Sequence, residues 1–280
     1  MITFDFDYYK PETVEEAAST YQKLNEMGKA ALYYAGGTEI INLARLRQEH
    51  FEAVIDIKGI QEMNLLEFQK DRLVIGAAVS LSDIYDSTLF PLLGSVCRQA
   101  ADRTARNKIT LGGNLCGRTP YREAVLPLLL AESEISIAGA AGLKRKRITE
   151  LFDKSLKLEN GEIIVQVYID KEYLKASYVN IRKTRQEKLG YPLITAAALK
   201  KGSLIRVAFS GLCSYPFRSE KIEKDFNNEA VSIEQRLEKI MKHLPETPLS
   251  DALGSAGYRE FLACNALSEI DVQLGGVKCS

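Results

Sequence analysis

Apolar residues begin to recur at helical spacing close to the start of the chain. Val14, Ala17, Ala18, Tyr21 and Leu24 fall on one face of a helix. Thr13-Val14-Glu15-Glu16 has the capping-box spacing, with Thr13 as N-cap and Glu16 three residues on, and Gly28 supplies the stop. The apolar run at residues 30–34 then reads as a strand that breaks at Gly36-Gly37. A second helical stretch covers residues 39–47, and residues 53–57 read as another strand. Helix, strand, glycine turn, helix, strand is the order of an α/β unit.

The same pattern predicts a strand at residues 72–76 and a helix at 89–101, with Leu92, Leu93, Val96 and Ala100 on one face. A second glycine turn follows at Thr110-Leu111-Gly112-Gly113-Asn114, and then an apolar stretch over 124–131. Strands are predicted at 135–138, 162–169, 176–181, 193–199 and 204–212, with helices near Glu220, at 233–243 and at 254–266. Strands followed by a run of helices describe an α+β unit, so the chain divides near residue 172. A length of 280 residues also suits two domains better than one. No linker, low-complexity tract or internal repeat interrupts it.

Charge adds little: 37 basic and 37 acidic side chains balance, which removes the electrostatic reason to seek nucleic acid or a membrane surface. The basic run Lys144-Arg145-Lys146-Arg147 is the local exception, to be read as a solvated hairpin or as a docking patch. The N-terminus lacks a secretory pattern and no apolar run approaches the roughly 18 residues of a membrane span, so a cytoplasmic protein is expected. The five cysteines, Cys97, Cys116, Cys213, Cys264 and Cys279, are scattered and never spaced C-x-x-C, which supports neither a disulfide framework nor a metal site. His50 and His243 lie in polar, helix-like surroundings, leaving little means for histidine acid–base chemistry.

The functional signal sits in the two glycine segments, Ala35–Ile40 and Thr110–Leu115. Paired glycines let consecutive N–H groups face an anion without Cβ interference, and a helix start just after the first adds its positive dipole end. Thr38, Thr110 and Asn114 can add side-chain hydrogen bonds. Neither segment matches G-x-G-x-x-G or the P-loop. On spacing alone, a dinucleotide or phosphate site and a pair of structural turns both remain open.

Longer stretches carry a resemblance. Tyr9-Lys10-Pro11-Glu12-Thr13-Val14-Glu15-Glu16-Ala17, Ala35-Gly36-Gly37-Thr38-Glu39, Arg106-Asn107-Lys108-Ile109-Thr110-Leu111-Gly112-Gly113-Asn114-Leu115 and Gly161-Glu162-Ile163-Ile164 resemble the FAD-binding (middle) subunits of molybdenum hydroxylases, the xanthine dehydrogenase and carbon monoxide dehydrogenase flavoprotein family. Gly257-Tyr258-Arg259-Glu260-Phe261-Leu262 matches that family's C-terminal helix more loosely. The resemblance spans nearly the whole chain. It implies an α+β fold class: a two-subdomain, PCMH-type α/β FAD-binding domain at 1–172 (subdomains about 1–57 and 58–172), followed by a small α+β C-terminal domain at 173–280.

By the same resemblance, the loop Tyr33-Tyr34-Ala35-Gly36-Gly37-Thr38-Glu39-Ile40 would wrap the FAD pyrophosphate and ribityl chain, and Thr110, Gly112, Gly113 and Asn114 would close on it. Where the family has Ser-Pro-x-x-Asp for the adenosine ribose, this chain has Thr119-Pro120-Tyr121-Arg122-Glu123. Glu123 keeps the carboxylate one methylene further out, or simply starts the next helix. Ile164 falls at an apolar flavin contact, Ala100 lies beside the cofactor by ungapped alignment, and Arg182 falls near a cation at the ring. The register can slip by one residue within Arg182-Lys183-Thr184-Arg185, and an exposed basic strand end is the competing reading there.

The implied function is electron transfer through non-covalent FAD, from an iron–sulfur subunit to NAD or another acceptor. Molybdenum cofactor and [2Fe-2S] clusters are expected only on partner subunits. No catalytic acid or base and no metal ligand is expected in this chain. The alternatives are a self-contained flavin reductase or oxidase and a non-catalytic flavin-binding assembly protein.

Overall fold

The computed structural model describes residues 2–185 and 190–275; Cys279 lies outside them. The first layer contains β1 (Asp7–Tyr9), α1 (Val14–Glu26), β2 (Ala31–Tyr34), α2 (Ile40–Arg45) and β3 (Ala53–Asp56). Thr13 Oγ1 accepts the Glu16 N–H at 3.1 Å, as its spacing predicts, but the Glu16 carboxylate accepts from Glu12 N–H at 2.8 Å, one residue beyond the usual box. At the other end Gly28 takes φ +73°, and Gly28 and Lys29 donate to Asn25 and Leu24 carbonyls in a Schellman turn. The strands pair in parallel, in the order β1-β3-β2, which the intervening helices make sterically possible.

The second body runs from β4 (Leu66–Gln69) and β5 (Arg72–Gly76) through five helices: α3 (Leu81–Ser87), α4 (Pro91–Gln99), α5 (Arg103–Arg106), α6 (Leu111–Cys116) and α7 (Val125–Leu130). It continues with β6 (Glu134–Gly139), β7 (Gly142–Arg147), α8 (Ile148–Leu151), the small pair β8 (Phe152–Asp153) and β9 (Ser155–Leu156), and β10 (Ile163–Asp170). The sheet order is β4-β5-β10-β6-β7, and β10 pairs antiparallel to both β5 and β6. Seven of the eight residues of β10 are buried, which explains why it reads as an apolar run rather than an alternating one.

The basic run is the edge strand β7 of the β6–β7 hairpin. Lys144 pairs with Glu162, and the Arg145 guanidinium lies 3.7 Å over the Tyr168 ring. Charge along an unpaired edge discourages strand addition from another chain.

The remaining elements are α9 (Lys171–Leu174), β11 (Tyr178–Thr184), β12 (Pro192–Lys201), β13 (Leu204–Ser210), β14 (Phe217–Arg218), α10 (Glu220–Phe226), α11 (Ile233–Lys242) and α12 (Ala256–Leu274). The four strands form an antiparallel sheet in chain order. Both of its faces are apolar. Ala197, Leu199 and Ala208 join the core of the preceding body, where α7 packs against β12 and β13. Ala196, Ala198, Val207 and Phe209 face the other way, into a core shared with α10, α11 and α12.

Helix α12 runs to Leu274, beyond the expected end near residue 266, because Leu267, Ile270 and Leu274 continue its buried stripe. Arg259 on this helix is fully buried. It donates to the Leu193 carbonyl, to the Gly211 carbonyl at 2.7 Å and to both Asp251 oxygens at 2.8 and 2.9 Å, clamping the helix to its sheet.

Candidate functional site

The first glycine segment leaves the carboxyl end of β2, the usual ligand side of a parallel sheet. A Cβ built on Gly36 would sit 1.7 Å from the Lys108 carbonyl oxygen, so only glycine lets this loop touch the backbone ahead of the second segment. Gly37 takes φ +71°, and the Tyr34 ring fills the space its Cβ would occupy, 2.6 Å away. Glu39 Oε1 then accepts the Arg118 N–H at 3.0 Å. Arg118 also pairs with Glu49 at 2.8 Å. The two segments, more than seventy residues apart in the chain, therefore form one wall. Helix α2 opens from it with no side-chain cap on its first N–H groups.

The second segment is not a simple turn. Thr110 is the N-cap of α6, and its buried Oγ1 accepts the Gly113 N–H at 3.2 Å. The two glycines do different things. Gly112 donates to the Ala77 carbonyl at 2.8 Å, and a Cβ there would come 2.8 Å from Ala77 Cβ. Gly113 is exposed, and its Cβ would meet only Thr110 Oγ1, at 2.9 Å. Asn114 Oδ1 accepts the Ala124 N–H at 3.2 Å, fixing the entry to α7. Thr110 and Asn114 thus use their side-chain oxygens within the protein, while Thr38 is exposed at the start of the α2 turn.

Glu123, just before that entry, is 6 % exposed. Burial pushes its carboxyl up to about 7; its own backbone N–H and the Arg182 guanidinium oppose the rise. Arg182, on β11, donates to the Gly190 carbonyl at 2.7 Å and leaves a buried Nε without a partner. Burial lowers its pKa, and the Glu123 charge works against that. Cys97 on α4 is also buried: burial pushes its thiol far up, and the Glu123 charge adds to the shift while Arg106 opposes it. Ala100, buried, caps the same helix three residues on. Ile164 is a core residue of β10, opposite Ile137 and next to Val165, whose carbonyl accepts the Ala77 N–H at 2.9 Å.

Glu123, expected at the adenosine ribose, is buried, and Arg182, expected near the flavin ring, is half-buried; each feels the other's charge more weakly than its own burial.

Sequence reasoning passed over Lys108, Arg118 and Cys97, and also Arg122. That side chain is 4 % exposed and braces the approach to α7 through the Thr119 carbonyl at 2.9 Å and the Lys154 carbonyl at 2.5 Å. The signal available was its position inside the Thr119–Glu123 stretch.

Glu123 makes a pH prediction. A folded-state pKa of about 7 against an ordinary 4.5 means that the folded chain binds the proton more tightly. Stability therefore falls as pH rises through that window, by an order of 3 kcal/mol once above it. Glu123→Gln should make the FAD-free protein more stable than wild type at pH 8 and nearly equal to it at pH 4.5. Thermal melts across that range should show the gap widening with pH; a constant gap would place the carboxyl in water.

Among the described residues there is no cluster of His, Cys, Asp or Glu fit for a metal, and no helix long and apolar enough to cross a membrane. Residues 4–171 match the family model described as the FAD binding domain in molybdopterin dehydrogenase. The chain belongs to this family. As a member it is an FAD-binding subunit of the molybdenum hydroxylase type, an oxidoreductase component whose cofactor is FAD.

Relatives in this family include the nicotinate dehydrogenase FAD-subunit of Eubacterium barkeri, 23% identical over 220 residues (75% of this chain and 72% of that protein). The glyceraldehyde dehydrogenase medium chain of Sulfolobus acidocaldarius is 24% identical over 270 residues, or 91% and 93% of the two chains. The fold is that of a chain of carbon monoxide dehydrogenase from Hydrogenophaga pseudoflava, with a TM-score of 0.86 at 23% identity over 98% of this chain and 99% of that one. A chain of quinoline 2-oxidoreductase from Pseudomonas putida 86 gives 0.82 at 22% identity, over 96% of each.

Proposed function

We propose that this chain is the flavin relay of a molybdenum-dependent hydroxylase complex, holding FAD without a covalent bond. It would take electrons from an iron–sulfur subunit and deliver them to NAD or another acceptor, while a molybdenum subunit carries the substrate. The observation that carries the reading is the Gly36 contact with Lys108, which closes the two glycine segments into one wall. Bound FAD would supply the exchange between one-electron and two-electron chemistry.

The chain's own residues bind and orient. Backbone N–H groups at residues 36–40 and the exposed face of Gly113 would take the pyrophosphate region. Glu123 would meet the adenosine ribose, Ala100 and Ile164 would lie beside the cofactor, and the Arg182 charge would favour the electron-rich reduced flavin. The proposed division remains 1–172 for the FAD-binding domain, with subdomains meeting near residue 57, and 173–280 for the C-terminal domain. A cytoplasmic location is part of the same proposal.

Non-covalent attachment is supported by where the histidines lie. The His50 ring centre sits 4.5 Å from that of Phe4, and His243 Nδ1 is 2.5 Å from Asp225 Oδ2, so each ring is engaged by another side chain of the protein.

The purified chain should be yellow, and acid precipitation should release FAD into the supernatant. With hypoxanthine, nicotinate or aldehydes and an artificial acceptor, it should show no turnover until iron–sulfur and molybdenum subunits are added. Activity in a preparation free of molybdenum and iron would overturn the relay reading, and flavin retained in the pellet would overturn non-covalent binding.

A further inference from the structure

The carboxyl ends of the parallel strands hold a connected set of side chains, Asp56, Tyr8 and Lys58, that lies outside the cofactor pattern and reaches it at Tyr34. Asp56, the last residue of β3, is 4 % exposed. Its Oδ2 accepts from Tyr8 Oη at 2.5 Å and from Lys58 Nζ at 2.7 Å, and its Oδ1 accepts the Lys58 N–H at 3.0 Å. Burial alone would raise the Asp56 pKa, but the hydrogen bonds from Lys58 and Tyr8 outweigh it and hold the carboxyl below its ordinary range. The anchor is therefore charged at neutral pH.

Held there, Lys58 Nζ lies 4.1 Å from the centre of the Tyr34 ring. The same ring occupies the space beside Gly37 that a side chain would fill. Gly37 has to be glycine because its φ is +71°, and glycine is also the residue that loses most conformational freedom on ordering. A loop built this way gains close backbone approach to an anion and loses rigidity. Tyr34 restores the rigidity by packing on the bare backbone, and Lys58 fixes the ring. The Lys58 side chain is 46% exposed, too open for its ion pair to stabilise the fold by much. Its consequence lies in where it holds the ring.

We propose that Lys58 and Tyr34 form a clamp, anchored on Asp56, that presets the first glycine loop for FAD and so sets how tightly the cofactor is held. Lys58 is a positioning residue: it acts through the Tyr34 ring on the backbone of Gly37. Ordering the loop before binding removes part of the entropic cost of binding. The inference rests on the FAD reading of this loop.

The test is FAD titration of the full-length, FAD-free chain, with melting of the same samples. Lys58→Met and Tyr34→Leu should each weaken FAD by about tenfold, mainly through faster release. Lys58→Arg and Tyr34→Phe should stay within about twofold of wild type, because each keeps the cation or the ring face. The double variant Lys58→Met/Tyr34→Leu should be no weaker than either single one, since both break the same contact. Melting midpoints without FAD should stay close to wild type throughout. Wild-type affinity in both single variants, additive losses in the double one, or losses that follow the melting midpoint would overturn the clamp while leaving the FAD reading intact. Failure of the wild-type chain to bind FAD would instead remove that reading, and the clamp with it.

Discussion

Gly36→Ala is expected to yield a protein that neither retains FAD nor melts at the wild-type temperature. The new methyl would lie 1.7 Å from the Lys108 carbonyl oxygen and 2.7 Å from its carbon, and both are backbone atoms. Lys108 has little room to withdraw. Its own N–H and that of Ile109 are bonded to the Ala105 carbonyl at 2.9 and 2.8 Å, and the Ile109 carbonyl accepts from Leu81 at 2.9 Å. The loop has to part from the segment instead, which also strains the Glu39 bond to Arg118. Overpacking against a fixed backbone costs about 3 kcal/mol. At roughly 2–4 °C per kcal/mol for a chain of this size class, the melting midpoint should fall by roughly 6–12 °C. Calorimetry of the FAD-free protein and the flavin absorbance of the purified variant check the two halves separately. An unchanged midpoint would show that the two segments do not touch.

Gly113→Val should do the opposite: keep the fold and lose the cofactor. Gly113 is exposed, and the only atom its Cβ would crowd is Thr110 Oγ1, the cap of its own helix. A weakened cap costs about 1 kcal/mol. The branched side chain, however, would stand on the open face where the proposed pyrophosphate site lies. FAD should bind at least about a hundredfold more weakly, equivalent to about 2.8 kcal/mol at 1.4 kcal/mol per decade. Equilibrium dialysis against FAD measures this directly. Stoichiometric flavin in the variant would make α6 a purely structural helix. Together the two substitutions separate the glycine that joins the loops from the one that faces the ligand.

Local signals carried much of the fold. The α1 cap at Thr13, its stop at Gly28 and the parallel strand unit that follows are governed by residues within a few positions of each other. The second glycine segment was legible as chemistry but not as a helix. Two adjacent glycines lower helix propensity, and what decides the matter is a tertiary contact, Gly112 seated on Ala77. Lys108 was invisible for a different reason: it contributes a backbone carbonyl, which every residue has. The seam where Tyr121 stacks on Tyr191 and Ser210 Oγ reaches the Pro120 carbonyl depends on how two sheets pack and leaves no pattern along the chain. Arg122 stands out only as part of its stretch, because its guanidinium is spent on the Thr119 and Lys154 carbonyls and the second of these lies far along the chain.

The two-sided sheet β11–β14 has a wider consequence. Its alanine face is seated on α7, while its far face is committed to α10, α11 and α12. Ser210 Oγ donates to the Pro120 carbonyl at 2.9 Å, and Tyr121 stacks on Tyr191 with ring centres 4.7 Å apart. The stretch that leads to Glu123 is therefore gripped from the later half of the chain. A change that loosens the helices behind that sheet should be felt at residues 120–123, on the opposite side of it.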